Sequence, residues 1–315
     1  MRLLLPQQFV RTPGATEETW GLQDSLRYTH WLARHHYENF HVVTFLLPRR
    51  LHQDFYNVYA FCRWADDLGD EMGDPALSLR LLDWCREELE RMYRDDVRHP
   101  VFVALRQTAL RHAIPIEPFA DLIRAFAQDQ TMTRYPTYAQ LLDYCVYSAN
   151  PVGRLVLYLC GYRDSERRRL SDATCTALQL ANFWQDVTRD LEKGRVYIPL
   201  EVMEAHGYRM EDLEQRCCNK NFRALMRDLV NRTHLLFLEG LPLVDKVDRR
   251  LAVDLELFSR GGLAILEKIR AQDYNVLERR PALGKKDRLA LLTRAIWRVG
   301  LGRPAPRVEA ADAWR

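Results

Sequence analysis

Glycine and proline are scarce in this chain, with 14 of each in 315 residues. Both residues interrupt helices, and β-sandwiches and barrels need many turn residues, so the scarcity favours helices over turn-rich β architectures. The apolar fraction of 47% is enough for a substantial core. The same composition excludes a largely disordered chain and a fibrous repeat.

Paired cysteines and long apolar runs are also missing. The seven cysteines are odd in number and include no Cys-x-x-Cys, which predicts reduced thiols and a cytoplasmic protein. Only three leucines precede Pro6, too few for the apolar core of a signal peptide. The uncharged run 173–185 is well below the about 18 to 20 residues of a membrane-spanning helix. We therefore expect no segment that crosses a membrane.

A strong overall charge is absent too, since 46 basic residues oppose 43 acidic ones. This balance argues against nucleic acid as a partner. The basic residues concentrate in 279–315, which holds ten Lys/Arg and three acidic residues. Within it, the segment 286–299 has an apolar helical stripe of Leu289, Leu292, Ile296 and Val299. Two interpretations stay open: peripheral contact with an anionic bilayer, or a terminal helix packed on the core with a solvated basic side.

Apolar residues recur at helical spacing along nearly the whole chain, and strand alternation is almost absent. No Ser/Gly-rich linker, repeat or low-complexity tract interrupts the pattern. We therefore predict one all-α domain. The predicted helical stretches are 24–45, 50–72, 76–95, 100–112, 116–130, 137–161, 165–193, 209–239, 246–274 and 286–299.

An acidic cluster follows the apolar face of the second predicted helix. Asp66, Asp67, Asp70 and Glu71 fall within six residues, directly after Arg63. Asp66 and Asp70 are one helical turn apart on the same side, and two like charges so placed destabilise a helix unless a cation or a donor lies between them. Such a cluster alone is more often a solvated face or an N-cap cluster than a metal site.

A second oxygen-rich face lies in the predicted helix 165–193. Gln179, Asn182, Asp186 and Asp190 advance by three, four and four residues, while the surrounding residues are apolar. Polar oxygens on an otherwise apolar helix are expected to line an interior cavity. The alternative is a buried polar network that satisfies its own hydrogen bonds.

Together the two clusters indicate Mg²⁺ chemistry. Hard oxygen ligands without His or Cys suit Mg²⁺, which accepts one or two carboxylates and substrate phosphate. Such a site favours ionisation of a carbon–oxygen bond with diphosphate as the leaving group, and an aromatic-lined pocket would stabilise the carbocation. A di-iron bundle would need two Glu-x-x-His pairs, and the chain has one, Glu38-x-x-His41.

Three blocks of the sequence resemble the signature segments of the squalene/phytoene synthase family. They are 59–70, 144–153 and 179–190, in the family's order and spacing. The resemblance runs from about residue 20 to residue 285. It implies a helical isoprenoid-synthase bundle around a central cavity, an isoprenoid diphosphate substrate and Mg²⁺ as cofactor.

The resemblance also implies roles for individual residues. Metal ligands are expected at Asp66, Asp70, Asn182, Asp186 and Asp190. Contacts with the diphosphate substrate are expected for His36, Tyr37, Asn39, Tyr59, Arg63 and Gln179. Catalytic roles are expected for Tyr144, Asp66, Asp70 and Asp186. Three of these have plainer alternatives: a core tyrosine for Tyr144, an i,i+3 ion pair for Arg63 and a structural histidine for His36.

Within the family, four segments resemble the bacterial hydroxysqualene synthases of hopanoid biosynthesis: 36–40, 46–50, 181–187 and 274–281. The implied reaction converts presqualene diphosphate to hydroxysqualene, releases diphosphate and needs no reductant. Two positions depart from the pattern of many relatives. Gln185 replaces an arginine, and Gly262 replaces a tyrosine. Fewer diphosphate contacts fit a substrate with one diphosphate.

Two other functions stay open. One is head-to-head condensation of two farnesyl diphosphates to presqualene diphosphate or a dehydrosqualene- or phytoene-type product. The other is a non-catalytic assembly protein of the same fold, against which the retained acidic residues argue. We expect an N-terminal extension in 1–20, a catalytic domain in 21–285 and a basic C-terminal helix and tail in 286–315. The expected location is cytoplasmic or peripheral on the inner face of the membrane, with other enzymes of the squalene pathway as potential partners.

Overall fold

The computed structural model describes residues 3–12, 14, 18–35 and 48–300. Within these ranges the chain forms fourteen α-helices and one 3₁₀-helix, and no β-strand. The prediction of an all-α fold is therefore confirmed. Contacts between residues divide the chain into two compact units, Met1–Met132 with Pro151–Arg163, and Thr133–Asn150 with Asp164–Arg315. The predicted boundaries at residues 20 and 285 stay a prediction.

Unit 1 contains six complete helices and nearly all of a seventh, which begins as the chain enters the unit from unit 2. They are α1 Pro6–Arg11, α2 Leu22–His35, α3 Arg49–Asp70, α4 Pro75–Tyr93, α5 Pro100–His112, α6 Glu117–Gln128 and α8 Asn150–Leu159. Local sequence explains several starts: Pro48 precedes α3, and the Asp74 side chain accepts a hydrogen bond from the Ala76 amide at the start of α4.

Unit 2 contains the remaining helices. They are α7 Tyr138–Ser148, α9 Ser165–Glu192, α10 Leu200–Ala205, α11 Met210–Glu214, α12 Lys220–Gly240, the 3₁₀-helix Leu241–Lys246, α13 Arg249–Ala271 and α14 Lys285–Gly300. The two longest helices both begin at an aspartate cap, since Asp164 accepts from the Arg167 amide and Asp248 from the amides of Arg250 and Leu251.

Aromatic side chains fill the core of unit 1. The ring of Phe61, on α3, lies 5.0 Å from that of Phe119 and 6.0 Å from that of Phe102. The Trp64 indole, also on α3, donates a hydrogen bond to the Tyr28 hydroxyl at 3.0 Å. These contacts hold one face of α3 in the core. The acidic residues lie on another face of the helix.

Two glycines allow close helix packing in unit 2. A Cβ atom at Gly240, at the end of α12, would lie 2.1 Å from the Thr174 hydroxyl of α9. A Cβ atom at Gly262, on α13, would likewise collide with the Phe237 ring of α12. Only glycine permits these approaches, so α12 and α13 pack tightly on each other and on α9, which carries the second polar face.

Helix boundaries differ from the prediction at two places. The stretch 137–161 is two helices, because α7 ends at Ser148 and α8 begins at Asn150, directly before Pro151. The stretch 209–239 is also two helices. Arg216 has a φ of +54° between them, and the Asn219 side chain caps the start of α12 by accepting from the Phe222 amide. The prediction also missed the short helices α1 and α10.

No helix in the part of the chain that the structure describes is both long enough and apolar enough to cross a membrane. The seven cysteines are all free thiols.

Candidate active site

In unit 1 the first acidic cluster forms a paired set on α3. Arg63 donates to Asp66, with Nη1 3.1 Å from Oδ2, and its other terminal nitrogen makes an ion pair with Asp67. Asp67 is buried, Asp66 is half-buried and Asp70, at the end of α3, is exposed. Arg63 therefore forms the i,i+3 ion pair and a second pair with the adjacent carboxylate, and its expected contact with diphosphate stays a prediction.

Asp67 was placed in the acidic cluster from the sequence but was assigned no role. Burial raises the pKa of its carboxyl to about 6, with Asp66 adding to the rise and Arg63 opposing it. Asp67 lies four residues after Arg63, and this spacing was the available signal. Tyr59, half-buried one turn before Arg63, has a pKa raised by burial. The tyrosine, the arginine and the carboxylates thus line one side of α3.

In unit 2 the second polar face is held by an arginine from a distant segment. Arg280 donates to both carboxylate oxygens of Asp186, with Nη2 2.9 Å from Oδ2. Asp186 is buried, and Arg189 lies nearby on the same helix, with Nε 3.7 Å from Oδ1. Arg280 stands 94 residues away in the chain, so no local spacing could have identified it.

The burial of this face changes along α9. Gln179 and Asp190 are half-buried, Asp186 is buried and Asn182 is exposed. Asn182 therefore lies on the solvent-exposed part of this face, and the expectation that the four residues line one cavity stays a prediction. A buried polar network with satisfied hydrogen bonds was predicted from the sequence as the alternative to a cavity. Asp186 fits that alternative, because Arg280, from outside the helix, donates to both of its carboxylate oxygens.

Asp190 lines a small, mostly apolar pocket of about 10 Å³ at the end of α9. Arg195, Val196, Tyr197 and Phe183 also line this pocket. Burial raises the pKa of Asp190 to about 7, and the neighbouring charge of Asp186 adds to the rise, while nearby cations that include Arg280 oppose it. The carboxylates of Asp186 and Asp190 therefore repel each other. A cation bound between them would reduce this repulsion.

An aromatic cluster adjoins these carboxylates. The Phe183 ring, one turn before Asp186, stacks on Tyr197 with 3.8 Å between centroids and 9° between planes. The Tyr144 ring lies 6.2 Å from each of them, and Tyr135 lies 5.5 Å from Tyr144. Tyr144, which the sequence analysis singled out, thus belongs to an aromatic cluster that includes Phe183 of the acidic helix α9. Phe183, Tyr197 and Tyr135 were not singled out.

The two departures from the family pattern have structural counterparts. The Gln185 amide donates to the Pro281 carbonyl oxygen at 2.6 Å, so it holds the segment that carries Arg280. At Gly262 the Phe237 ring fills the space in which a side chain would stand. One cation that the sequence reasoning counted as lost is therefore supplied beside Asp186 by Arg280.

The donor set suits Mg²⁺. No group of three or more His, Cys, Asp or Glu residues gathers closely enough to hold a metal ion within residues 3–35 and 48–300, as far as these are described. Mg²⁺ does not need such a cage, because it keeps several waters and uses one or two carboxylates with substrate phosphate. Asp186 and Asp190 supply two carboxylates on one helix face, and Arg280 supplies a guanidinium that matches phosphate oxygens.

Comparison with known proteins identifies the family. A model of the squalene/phytoene synthase family matches residues 33–287. The chain belongs to this family. The phytoene synthase of Thermus thermophilus is 32% identical over 289 residues, covering 91% of this chain and 95% of that one. The hydroxysqualene synthase of Rhodopseudomonas palustris is 32% identical over 242 residues, covering 76% of this chain and 82% of that one.

Solved structures of the family share the helical fold. The crystal structure of squalene synthase HpnC from Alicyclobacillus acidocaldarius is 47% identical, with a TM-score of 0.78, and covers 81% of this chain and 96% of that one. A dehydrosqualene synthase in complex with a ligand, 24% identical, has a TM-score of 0.79 over 89% of this chain and 98% of its own. This family is one of enzymes of isoprenoid biosynthesis, and its helical fold is confirmed for this chain.

Three of the expected substrate-binding residues, His36, Tyr37 and Asn39, lie outside the described residues. The roles of the other site residues stay predictions. The structure brings Tyr59 and Arg63 together with Asp66, Asp67 and Asp70 in unit 1. In unit 2 it groups Gln179, Asn182, Asp186 and Asp190 on α9, beside the cluster that contains Tyr144.

Proposed function

We propose that this protein is a Mg²⁺-dependent hydroxysqualene synthase, which converts presqualene diphosphate to hydroxysqualene and releases diphosphate. The observation that carries the proposal is the placement of Phe183 and Asp186 one turn apart on α9, with the rings of Tyr144 and Tyr197 against Phe183. A diphosphate-binding face and a cation-stabilising wall then adjoin each other. The names of the hydroxysqualene synthases among its relatives support the same reaction.

The diphosphate-binding face and the aromatic cluster have different roles in the proposed reaction. In the first step the bond between the substrate's C1 carbon and the diphosphate oxygen breaks, and the electron pair leaves with the diphosphate. Mg²⁺ held by the acidic residues would neutralise the developing charge of that leaving group. Arg280 and Arg195 bind phosphate oxygens as guanidinium donors. Asp66, Asp70, Asn182, Asp186 and Asp190 are the proposed metal ligands.

The carbocation requires different surroundings. The ring faces of Tyr144, Phe183 and Tyr197 carry negative electrostatic potential and stabilise a cation without donating an electron pair to it. After rearrangement, the oxygen of a water molecule forms the new carbon–oxygen bond and the added water loses a proton. No oxidant or reductant enters this sequence, so the reaction is balanced with substrate, water and diphosphate alone.

A single-diphosphate substrate agrees with the positions that depart from the family pattern. Gln185 donates to a backbone carbonyl, and the space at Gly262 is filled by Phe237. Arg280 supplies a cation beside Asp186 where Gln185 lacks one. Gly262, in contrast, offers no phosphate ligand. This difference supports presqualene diphosphate over two molecules of farnesyl diphosphate.

A second candidate is condensation of two farnesyl diphosphates to presqualene diphosphate or a phytoene-type product. It is favoured by the match to the Thermus phytoene synthase, which extends over 91% of this chain. The two candidates differ in the substrate that is consumed. They therefore separate in one assay.

The deciding experiment supplies the purified protein with Mg²⁺ and either presqualene diphosphate or farnesyl diphosphate, without nicotinamide, and identifies products by mass spectrometry. Release of hydroxysqualene from presqualene diphosphate supports the proposal. Consumption of farnesyl diphosphate alone supports the second candidate, and no turnover of either substrate refutes both.

Variants test whether the same residues carry the activity. We expect Asp186→Asn and Asp190→Asn to lower kcat/KM by at least about 100-fold, since each removes charge from the diphosphate and metal face. Glu166→Gln removes an exposed carboxylate from the same helix and serves as the control, with activity close to that of the unchanged protein. Equal activity of all three variants would contradict the assignment of this face.

A further inference from the structure

Helix α14 packs on unit 2 through an unusual face. Ala295 is 1% exposed and Arg298 is 5% exposed, so both point inward. Arg298 makes an ion pair with Glu256 of α13, a side chain that is 1% exposed, and lies 3.5 Å from Asp245. The inward face of α14 therefore carries a small residue and a buried cation.

Three large apolar residues of α14 point outward. Leu289 is 63% exposed, Ile296 is 48% exposed and Trp297 is 55% exposed. Ile296 and Trp297 follow Leu289 by seven and eight residues, which is close to two helical turns. The three side chains therefore form one stripe. Leu292 and Val299, the other members of the predicted stripe, are half-buried. The helix therefore packs on the core with its basic side in solvent, as one of the two interpretations of the sequence had it, and Leu289, Ile296 and Trp297 of the stripe also face outward.

Basic residues surround this stripe. Lys285, Lys286, Arg288 and Arg294 are all exposed, and none of them has a carboxylate partner in the part of the chain that the structure describes. The acidic residue of the helix, Asp287, is engaged elsewhere. Its Oδ2 lies 3.0 Å from the Lys268 ammonium and accepts from the Gly284 amide at 2.8 Å. The outward face thus combines apolar side chains with positive charge of one sign.

We propose that this face, Leu289, Ile296 and Trp297 with the four basic residues around them, docks on the anionic headgroup surface of a lipid bilayer. A helix in the membrane interface has this pattern, with apolar side chains that enter the acyl boundary and cations that meet anionic lipids. A tryptophan is well suited to that boundary because its ring is apolar and its N–H is polar.

Charge argues against a second copy of this chain as the occupant. A two-fold interface places the same patch on both sides, so the cations around one stripe would face those around the other. A stable interface also buries about 800 Å² on each partner, more than three side chains on one helix supply. An anionic bilayer can bind both the apolar and the basic side chains of this face. Such binding does not depend on which isoprenoid reaction the enzyme performs.

The test is vesicle sedimentation of the full-length protein without substrate. One set of vesicles contains phosphatidylcholine alone, and the other contains 30% phosphatidylglycerol (about one lipid in three, to give a strongly anionic surface). We expect binding to the anionic set, at least about tenfold weaker binding to the neutral set, and loss of binding at about 0.5 M salt.

Two variants separate the contributions. Leu289→Ser/Ile296→Ser/Trp297→Ser removes the stripe, and Lys285→Gln/Lys286→Gln/Arg288→Gln/Arg294→Gln removes the cations. Each is expected to lower the partition coefficient at least about tenfold. Because all seven residues are exposed, the circular dichroism spectrum and thermal midpoint should be retained, which distinguishes lost docking from lost folding.

Two control variants change exposed leucines and exposed basic residues outside α14. Leu110→Ser/Leu235→Ser alters two exposed leucines outside α14, and Arg80→Gln/Arg168→Gln/Lys220→Gln/Arg250→Gln makes the same change in net charge. Both controls should bind like the unchanged protein. The proposal is overturned if the unchanged protein does not sediment with anionic vesicles, if the α14 variants sediment equally, or if the charge control loses binding as much as the α14 charge variant. It is also overturned if light scattering shows a dimer that the stripe variant converts to a monomer while vesicle binding is unchanged.

Discussion

Arg280 holds both carboxylate oxygens of Asp186 across 94 residues of sequence, with the Nη2–Oδ2 distance at 2.9 Å. The hydrogen bonds to Asp186 and the negative charges of Asp186 and Asp190 raise the pKa of the Arg280 guanidinium, against the opposing effect of burial, so Arg280 stays charged. The contact has a direct consequence for the proposed metal site. A guanidinium and a metal ion that both bind this carboxylate compete for its negative charge.

The first prediction concerns the competition between Arg280 and a metal ion for the Asp186 carboxylate. Arg280→Gln leaves the buried Asp186 carboxylate with weaker partners, so we expect the metal-free protein to lose about 1–3 kcal/mol of unfolding free energy. Mg²⁺ restores the missing positive charge, and the variant should therefore gain more thermal stability from Mg²⁺ than the unchanged protein does. Differential scanning calorimetry with and without Mg²⁺ measures both effects.

The control for this prediction is Arg216→Gln, which removes an exposed ion pair with Glu192 on the same unit. We expect a change below about 0.5 kcal/mol and an unaltered response to Mg²⁺. If Arg280→Gln shows the same Mg²⁺-induced shift as the unchanged protein, Arg280 and the metal do not compete for Asp186.

The second prediction compares two adjacent glycines in α13. A Cβ at Gly262 would collide with the Phe237 ring, whereas nothing lies within 4 Å of a Cβ at Gly261. Gly262→Ala should therefore lower the unfolding free energy by about 1–3 kcal/mol through overpacking. Gly261→Ala should raise it by about 0.5–1 kcal/mol, because alanine is the better helix former. Urea unfolding of both variants checks the opposite signs, and destabilisation of equal size would contradict the packing explanation.

The third prediction is a pH dependence of stability that originates at Asp254. This residue is 1% exposed, and neither of its carboxylate oxygens has a hydrogen-bond partner in the described part of the chain. Burial, with a contribution from the charge of Asp248, raises its pKa from 3.8 to about 8. The folded state therefore keeps a proton over this range that the unfolded state has lost.

The sign follows from that difference. The stability contribution of Asp254 is fully present below about pH 4 and falls as pH rises towards about 8, by up to about 1.4 kcal/mol per pH unit. Asp254→Asn should remove this slope and stabilise the protein at pH 8. Asp143→Asn, at an exposed position of α7, is the control and should leave the slope unchanged. Chemical unfolding at several pH values measures it, and equal slopes for all three proteins would exclude Asp254 as the source.

The fourth prediction concerns the support of α3. Asp54, 1% exposed, accepts hydrogen bonds from Thr108 at 2.8 Å and from Arg111 at 2.9 and 3.0 Å, and it contacts His112 at 3.0 Å. These bonds tie α3 to α5. Asp54→Ala should lower the unfolding free energy by about 2–4 kcal/mol, since it removes an acceptor shared by several donors.

Asp24→Ala provides the comparison for Asp54, because Asp24 forms an exposed ion pair with Arg27 at 3.4 Å. Its loss should cost less than about 0.5 kcal/mol. Urea unfolding monitored by circular dichroism measures both variants. A cost for Asp54→Ala as small as that for Asp24→Ala would show that this network does not hold α3.

Local patterns predicted α3 and α9 to within about two residues, because both helices have strong periodicity and clear starts at Pro48 and Asp164. The break between α7 and α8 was missed although Pro151 signalled it, since the apolar pattern continues across the break. The break before α12 was missed because Asn219 was not recognised as a helix cap.

The sequence by itself determined the helical fold, the family and the two polar faces, because each depends on residues within a few turns of one another. Only the tertiary structure decided three other features: the pairing of Arg280 with Asp186, the filling of the space at Gly262 by Phe237, and the outward direction of Leu289 and Trp297. Helical periodicity defines faces without saying which face is buried. In α14 that choice depends on the ion pair of Arg298 with Glu256, 42 residues away, and contacts at such separations leave no trace in local spacing.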